Sequence, residues 1–131
     1  WTSCVSAEKA WYNIHVKITA WGGNMVQVQT HNDTYISVAG TWNVGYLNNT
    51  QGQQLVEKFG EPLLGHPTDK VEFEWNLLIE GKPVSIYSWK NYGEKSFEQI
   101  RVWNVGGRID DNPDWLLRQV GLRVSESPSF W

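Results

Sequence analysis

Asp110, Asp111, Asn112 and Asp114 place three carboxylates and an amide within five residues, around Pro113. Calcium takes about 6–8 oxygen ligands, and it accepts them from flexible loops. This run offers such ligands. The same residue types are also turn formers, with Asn-Pro starting a turn and Asp capping local backbone. Both readings stay open: a Ca2+ loop, or a solvated acidic turn. The spacing matches no fixed motif of the EF-hand kind.

Other reactive side chains are sparse. His15 falls on the polar face of an alternating run, and His31 and His66 fall in turn-rich sequence. None shows the His-X-X-X-His spacing of a metal site, and no Gly-X-Ser-X-Gly elbow occurs. Glu72 and Glu74 share one strand face. A glycosidase could use such a pair, but the wet face of an amphipathic strand accounts for it more simply. Cys4 has no second cysteine to pair with inside the chain. These residues predict a protein that binds rather than catalyses.

Tryptophan is the other unusual resource. There are 9 in 131 residues, and a buried indole N–H wants a partner, so some should lie at a surface that binds something. Trp21 borders a turn, Trp42 sits in Trp42-Asn43-Val44-Gly45, and Trp103 stands beside Asn104. These three are the candidate lipid- or ligand-binding residues. Indoles favour the membrane–water interface, where the ring is buried and the N–H stays wet, and they also stack on sugar faces. Trp75 and Trp115 fall in phase with apolar neighbours and read as core.

The chain must hold these residues on something. At 131 residues it is one domain, 1–131, with a core over about 11–124 and loose termini. A hydrophobic fraction of 40% with 19% charged residues is a globular balance. The net charge of -3, with Lys and Arg scattered, excludes the clustered basic footprint of a nucleic-acid binder. No apolar run reaches transmembrane length. The sequons at Asn32 and Asn48 fit a secreted, glycosylated protein.

Alternation at period two dominates. Residues 11–21 put Tyr12, Ile14, Val16, Ile18 and Ala20 on one face, and Gly22-Gly23-Asn24 is a hairpin turn. Further strands are predicted at 25–30, 35–39, 71–75, 84–89, 97–102 and 120–124. Residues 42–45 read as a tight turn, 46–54 as an exposed loop and 55–59 as a short strand, with 53–59 the one stretch that could follow a helical period. Gly106-Gly107 reads as a strand break. About eight short strands at regular spacing predict an all-β antiparallel sandwich.

The order of these pieces resembles the PLAT domain family, also called lipoxygenase-homology or lipase C-terminal domains. Ile14–Ala20, then Thr34–Gly40, is similar to the family's strand, turn and Gly-ended strand. Leu64–Phe73 is similar to its Gly, Thr/Asp and alternating strand. Ile100–Asn104 with Asn112–Leu117 and Val120–Val124 is similar to its strand, Pro-Gly-Trp loop and final strand, with Asp114 where the family has Gly. The resemblance implies an eight-stranded sandwich that docks on membrane lipid or a partner protein, in some members with calcium. It also implies that loops at one end share the ion, which would add Asp69, Asn24 and Asn104 to Asp110, Asp111 and Asp114. The alternatives are a secreted lectin that meets glycans with its Trp residues and loop Asp and Asn, or a toxin-like β-protein.

Overall fold

The computed structural model describes residues 9–12, 16–21 and 24–129, with side chains from Met25 onward. Cys4, His15 and the Gly22-Gly23 turn lie outside the described residues. So do the side chains of Trp21 and Asn24, of which only the backbone is described.

Eight strands form one antiparallel sheet: β1 (Lys9–Tyr12), β2 (Val16–Trp21), β3 (Asn24–Thr30), β4 (Trp42–Leu47), β5 (Leu63–Leu64), β6 (Phe73–Ile79), β7 (Lys82–Tyr87) and β8 (Trp103–Gly107). They run in the order β1-β2-β3-β6-β7-β8-β4, with β5 added on β6. Two helices complete the fold, α1 (Gly52–Phe59) and α2 (Pro113–Arg118). The all-β expectation holds at that level. Among the described residues no second packed sheet is seen, and helices and irregular chain supply the buried side chains that meet the sheet.

One face of the sheet makes the core. Trp75, Ile86 and Val105 are cross-strand neighbours, as are Thr30, Leu77 and Val84, and all are buried. Leu55 and Phe59 of α1, spaced for one helix face, and Leu116 and Leu117 of α2 join the same buried cluster. Trp75 and Trp103 meet edge to face at 5.3 Å, a favoured arrangement of aromatic rings. The β6–β7 hairpin closes through Glu80 and Gly81, both with positive φ, the backbone a two-residue type I′ turn requires.

Several sequence expectations fail for identifiable reasons. The run 11–21 is two strands paired with each other, Tyr12 facing Val16. Paired residues share a face, so a hairpin with an odd connection preserves the alternation that suggested one strand. Residues 35–39 form no strand. They belong to the connection from β3 to β4, which must cross three intervening strands. Its Ile36 is buried apart from the main cluster, and its Thr41 lies against Gly106. Residues 42–45 belong to β4, and 52–59 are helical, started by a Gln51–Gln54 capping box.

Residues 97–99 make a short 3-10 turn, so β8 begins only at Trp103. Gly106-Gly107 does not break β8 but ends it. A Cβ on Gly106 would stand 2.4 Å from the Ser85 hydroxyl, and one on Gly107 would stand 2.6 Å from the Pro113 ring. Gly106→Ala is therefore expected to cost about 1–3 kcal/mol, as overpacking does. Urea unfolding would show this, and Ser85→Ala should recover part of the loss in the double variant.

The Asp-rich loop is helix-start chemistry. Asn112 caps α2 by accepting from the Trp115 N–H, Pro113 takes the first helical position, and Asp114 pairs with Arg118 one turn on at 2.9 Å. The helix has six residues, too short to announce its period. Its phase places Leu116 and Leu117 inward and leaves Trp115 60% exposed, so the core assignment of Trp115 is corrected. Residues 120–124 form no strand either. Leu122 N–H bonds back to Leu117 O, and Gly121 takes a positive φ, a helix-ending arrangement. The tail then lies along β4: Ser125 and Tyr46 exchange both backbone bonds, and the Asn48 amide clamps Ser127 O and Ser129 N. That covers an edge strand that would otherwise stand open.

Candidate functional site: an aromatic and amide cleft on the sheet face opposite the core

The face of the sheet opposite the core carries a different chemistry. One rung across four strands reads Glu74, Tyr87, Asn104, Tyr46. The next reads Asn76, Ser85, Gly106, Asn43. A β-bulge between Asn43 and Gly45 makes this possible. The extra residue, Val44, shifts the alternation so that Tyr46 faces the same way as Asn43. Without the bulge Tyr46 would turn toward the core.

Tyr46, Tyr87 and Trp89 form the aromatic walls of an open cleft of about 570 Å³, and Asn43, Asn104 and Pro128 complete much of its lining. Tyr87 and Trp89 are set nearly perpendicular, at 79° with centroids 6.2 Å apart, so they make a corner rather than a stack. Trp89 is 46% exposed. The Asn104 side chain makes no hydrogen bond among the described residues, which leaves an acceptor and two donors to offer. Asn43 Nδ2 reaches only to Gly45 O, at 3.4 Å. Apolar ring faces beside free amides are the ingredients for a ligand with C–H faces and hydroxyl edges.

At the far end of the rung, burial raises the Glu74 carboxyl above its ordinary value, with His31 opposing the shift. A native pKa above the unfolded value means the native state holds this proton more tightly. The corresponding stability is full below the unfolded carboxylate pKa and falls as pH rises through Glu74's higher one. Glu74→Gln should therefore gain in Tm over the native protein as pH climbs from acid to neutral. Melting curves across that range check the sign, and a gap that shrinks with rising pH contradicts it.

The predicted site residues do not converge. Trp103 is fully buried, its indole N–H donating to Thr50 O at 2.9 Å, so its assignment to ligand or lipid binding is corrected. Trp103 and Asn104 both stand in β8 and, as neighbours along a strand, face opposite sides of the sheet. Trp42 is 76% exposed at the start of β4, as expected. Trp21 lies in β2.

Of the acidic residues, Asp114 is occupied by Arg118 and by the Val124 N–H. Asp69 accepts from the His66 N–H. Asp110 and Asp111 belong to a short 3-10 turn before α2. Among the described residues no group of three or more His, Cys, Asp or Glu side chains is placed to hold a metal. Asn104, named as a candidate ligand beside them, belongs instead to the cleft.

Both ring nitrogens of His31 meet backbone groups, Glu61 O and the Asn76 N–H, and His66 Nδ1 faces its neighbour Thr68. The two sequon amides are also engaged, Asn32 with Phe59 O and Glu61 O, and Asn48 with the tail.

Sequence reasoning missed Trp89 and Tyr87. Their signal was present: they alternate with Val84 and Ile86, so one set had to face away from the core.

No family model, curated protein or solved structure matches this chain. The resemblance to PLAT domains therefore rests on the residues alone.

Proposed function

We propose that this chain is a non-catalytic binding module that takes a saccharide in the cleft of Tyr46, Tyr87, Trp89, Asn43 and Asn104. The observation that carries the reading is an exposed indole cornered by a tyrosine and flanked by two side-chain amides. Sugar binding asks for a ring flanked by hydrogen-bonding side chains; lipid insertion asks for a bare one. A glycan reader of this kind would work at the cell surface or outside the cell, in keeping with the sequons.

A second reading keeps the PLAT-like role, docking on membrane lipid or a partner protein with calcium as a bridge. What favours it is the exposure of Trp42 and Ile109. Trp42 pairs with Gly107 at the end of β8, and Ile109 follows two residues later, so both stand at one end of the sheet. Indoles so exposed suit an interface between water and acyl chains.

Glycan-array binding and liposome co-sedimentation, the latter with calcium and with chelator, separate the two. Glycan binding lost in Trp89→Ala supports the cleft. Vesicle binding lost in Trp42→Ala, with no glycan bound, moves the function to the sheet end. Sensitivity to chelator would return the acidic residues to the account.

A further inference from the structure

Beside the aromatic cleft lies a second one, of about 160 Å³, and Trp89 and Val102 are walls of both. Lys90, Lys95 and Arg101 line it, with Glu94 as the one carboxylate. Three cations against one anion is a local excess on a chain whose net charge is -3.

These cations are held out rather than neutralised. Among the described residues, none of the three makes an ion pair. Arg101 is anchored by Nη1 alone, which donates to Glu98 O at 2.6 Å and Ile100 O at 3.1 Å. Its Nε and Nη2 donors have no partner among the described residues. The Lys90 ammonium lies 5.7 Å from the Trp89 ring centroid, tying the cationic side of the wall to the aromatic one.

The loop that presents Lys90 and Lys95 is strained and clamped. Lys90 and Tyr92 both adopt positive φ, at 53° and 49°, which non-glycine residues rarely do. The Asn91 side chain closes the loop, donating to Lys95 O and Glu72 Oε1 and accepting from the Lys95 N–H. Left-handed backbone persists where its surroundings over-determine it, and such positions gather at ligand clamps.

We propose that the second cleft is an anion subsite continuous with the first, so that the ligand is an acidic saccharide. Its sugar ring rests in the Tyr87–Trp89 corner, with hydroxyls at Asn104 and Asn43. Its carboxylate or sulfate lies across Trp89, among Lys90, Lys95 and Arg101. This inference rests on the glycan reading and adds the ligand's charge to it.

Titration calorimetry with four probes tests it: an oligogalacturonate, a sulfated oligosaccharide, a neutral gluco-oligosaccharide and an oligothymidylate. The native protein should bind one of the acidic probes about tenfold or more tighter than the neutral one, and added salt should erode that preference. Lys95→Gln with Arg101→Gln should remove the preference and leave neutral binding in place. Lys95→Gln alone, which leaves the Arg101 anchor intact, should remove part of it. Equal binding of acidic and neutral probes overturns the anion subsite and leaves the glycan reading standing. No binding of any probe overturns both. Tighter binding of an oligothymidylate, with the same dependence on Trp89, Lys95 and Arg101, replaces the acidic saccharide with a nucleic acid.

Discussion

Trp103→Ala is expected to cost about 3–5 kcal/mol of stability, the range for truncating a buried aromatic. Domains of this kind hold only about 5–15 kcal/mol in total, so the variant should unfold at low urea or fail to accumulate. The cost has two sources. The ring fills a site with no solvent exposure against Trp75 and Phe97. Its N–H satisfies Thr50 O at the turn leading into α1, and removal leaves that carbonyl without its indole donor. Trp42→Ala, on a residue 76% exposed, should stay within about 0.5 kcal/mol of the native protein. Urea unfolding followed by circular dichroism reads both. Similar losses for the two would contradict the placement of Trp103 in the core.

Trp89→Ala should have the opposite profile. The melting temperature should change little, because the ring stands partly free at the cleft. Affinity for the saccharide should fall by about 30-fold, which is the roughly 2 kcal/mol of a central aromatic contact. Asn104→Ala should weaken binding by less, about tenfold, by removing hydrogen bonds of about 1 kcal/mol each. Paired measurements of stability and affinity on these variants separate a binding wall from a structural one. If Trp89→Ala melts as early as a core variant, the ring is structural and the cleft loses its main contact.

The sheet was legible where alternation was strong and one face wet. Trp75 follows from the 71–75 alternation, which continues in β6 through Leu77 to Ile79, and Val26 and Val28 follow from the strand at 25–30. What stayed hidden had three physical causes. Hairpins with odd connections preserve phase, so β1 and β2 read as one strand. Short helices do not complete enough turns to show a period, so α2 read as an acidic loop followed by a strand, and its capping residues read as metal ligands. Bulges reset facing, so nothing in Trp42-Asn43-Val44-Gly45-Tyr46 revealed that Tyr46 joins Asn43.

The tryptophans divided along the same line. Position next to turn-forming residues suggested exposure for Trp42 and Trp103 alike. Both lie on the same side of the sheet, Trp103 opposite Leu47 and Trp42 opposite Gly107, and position along the strand separates them: Trp103 is fully buried at the middle of the core, and Trp42 is exposed at the strand's end. The cleft itself draws on β4, β7, β8 and the tail, four segments brought together by strand order that no local pattern encodes.

The most direct test of the saccharide cleft is a ¹H–¹⁵N spectrum of the full chain titrated with the tightest-binding oligosaccharide. The Trp indole and Asn side-chain signals are then followed one by one. The Trp89 indole and the Asn43 and Asn104 amides should move together and saturate at one affinity, while Trp42, Trp103 and Trp115 stay in place. Movement of Trp42 and Trp115 with the cleft signals unchanged would contradict the account and place the binding surface on the other face of the sheet.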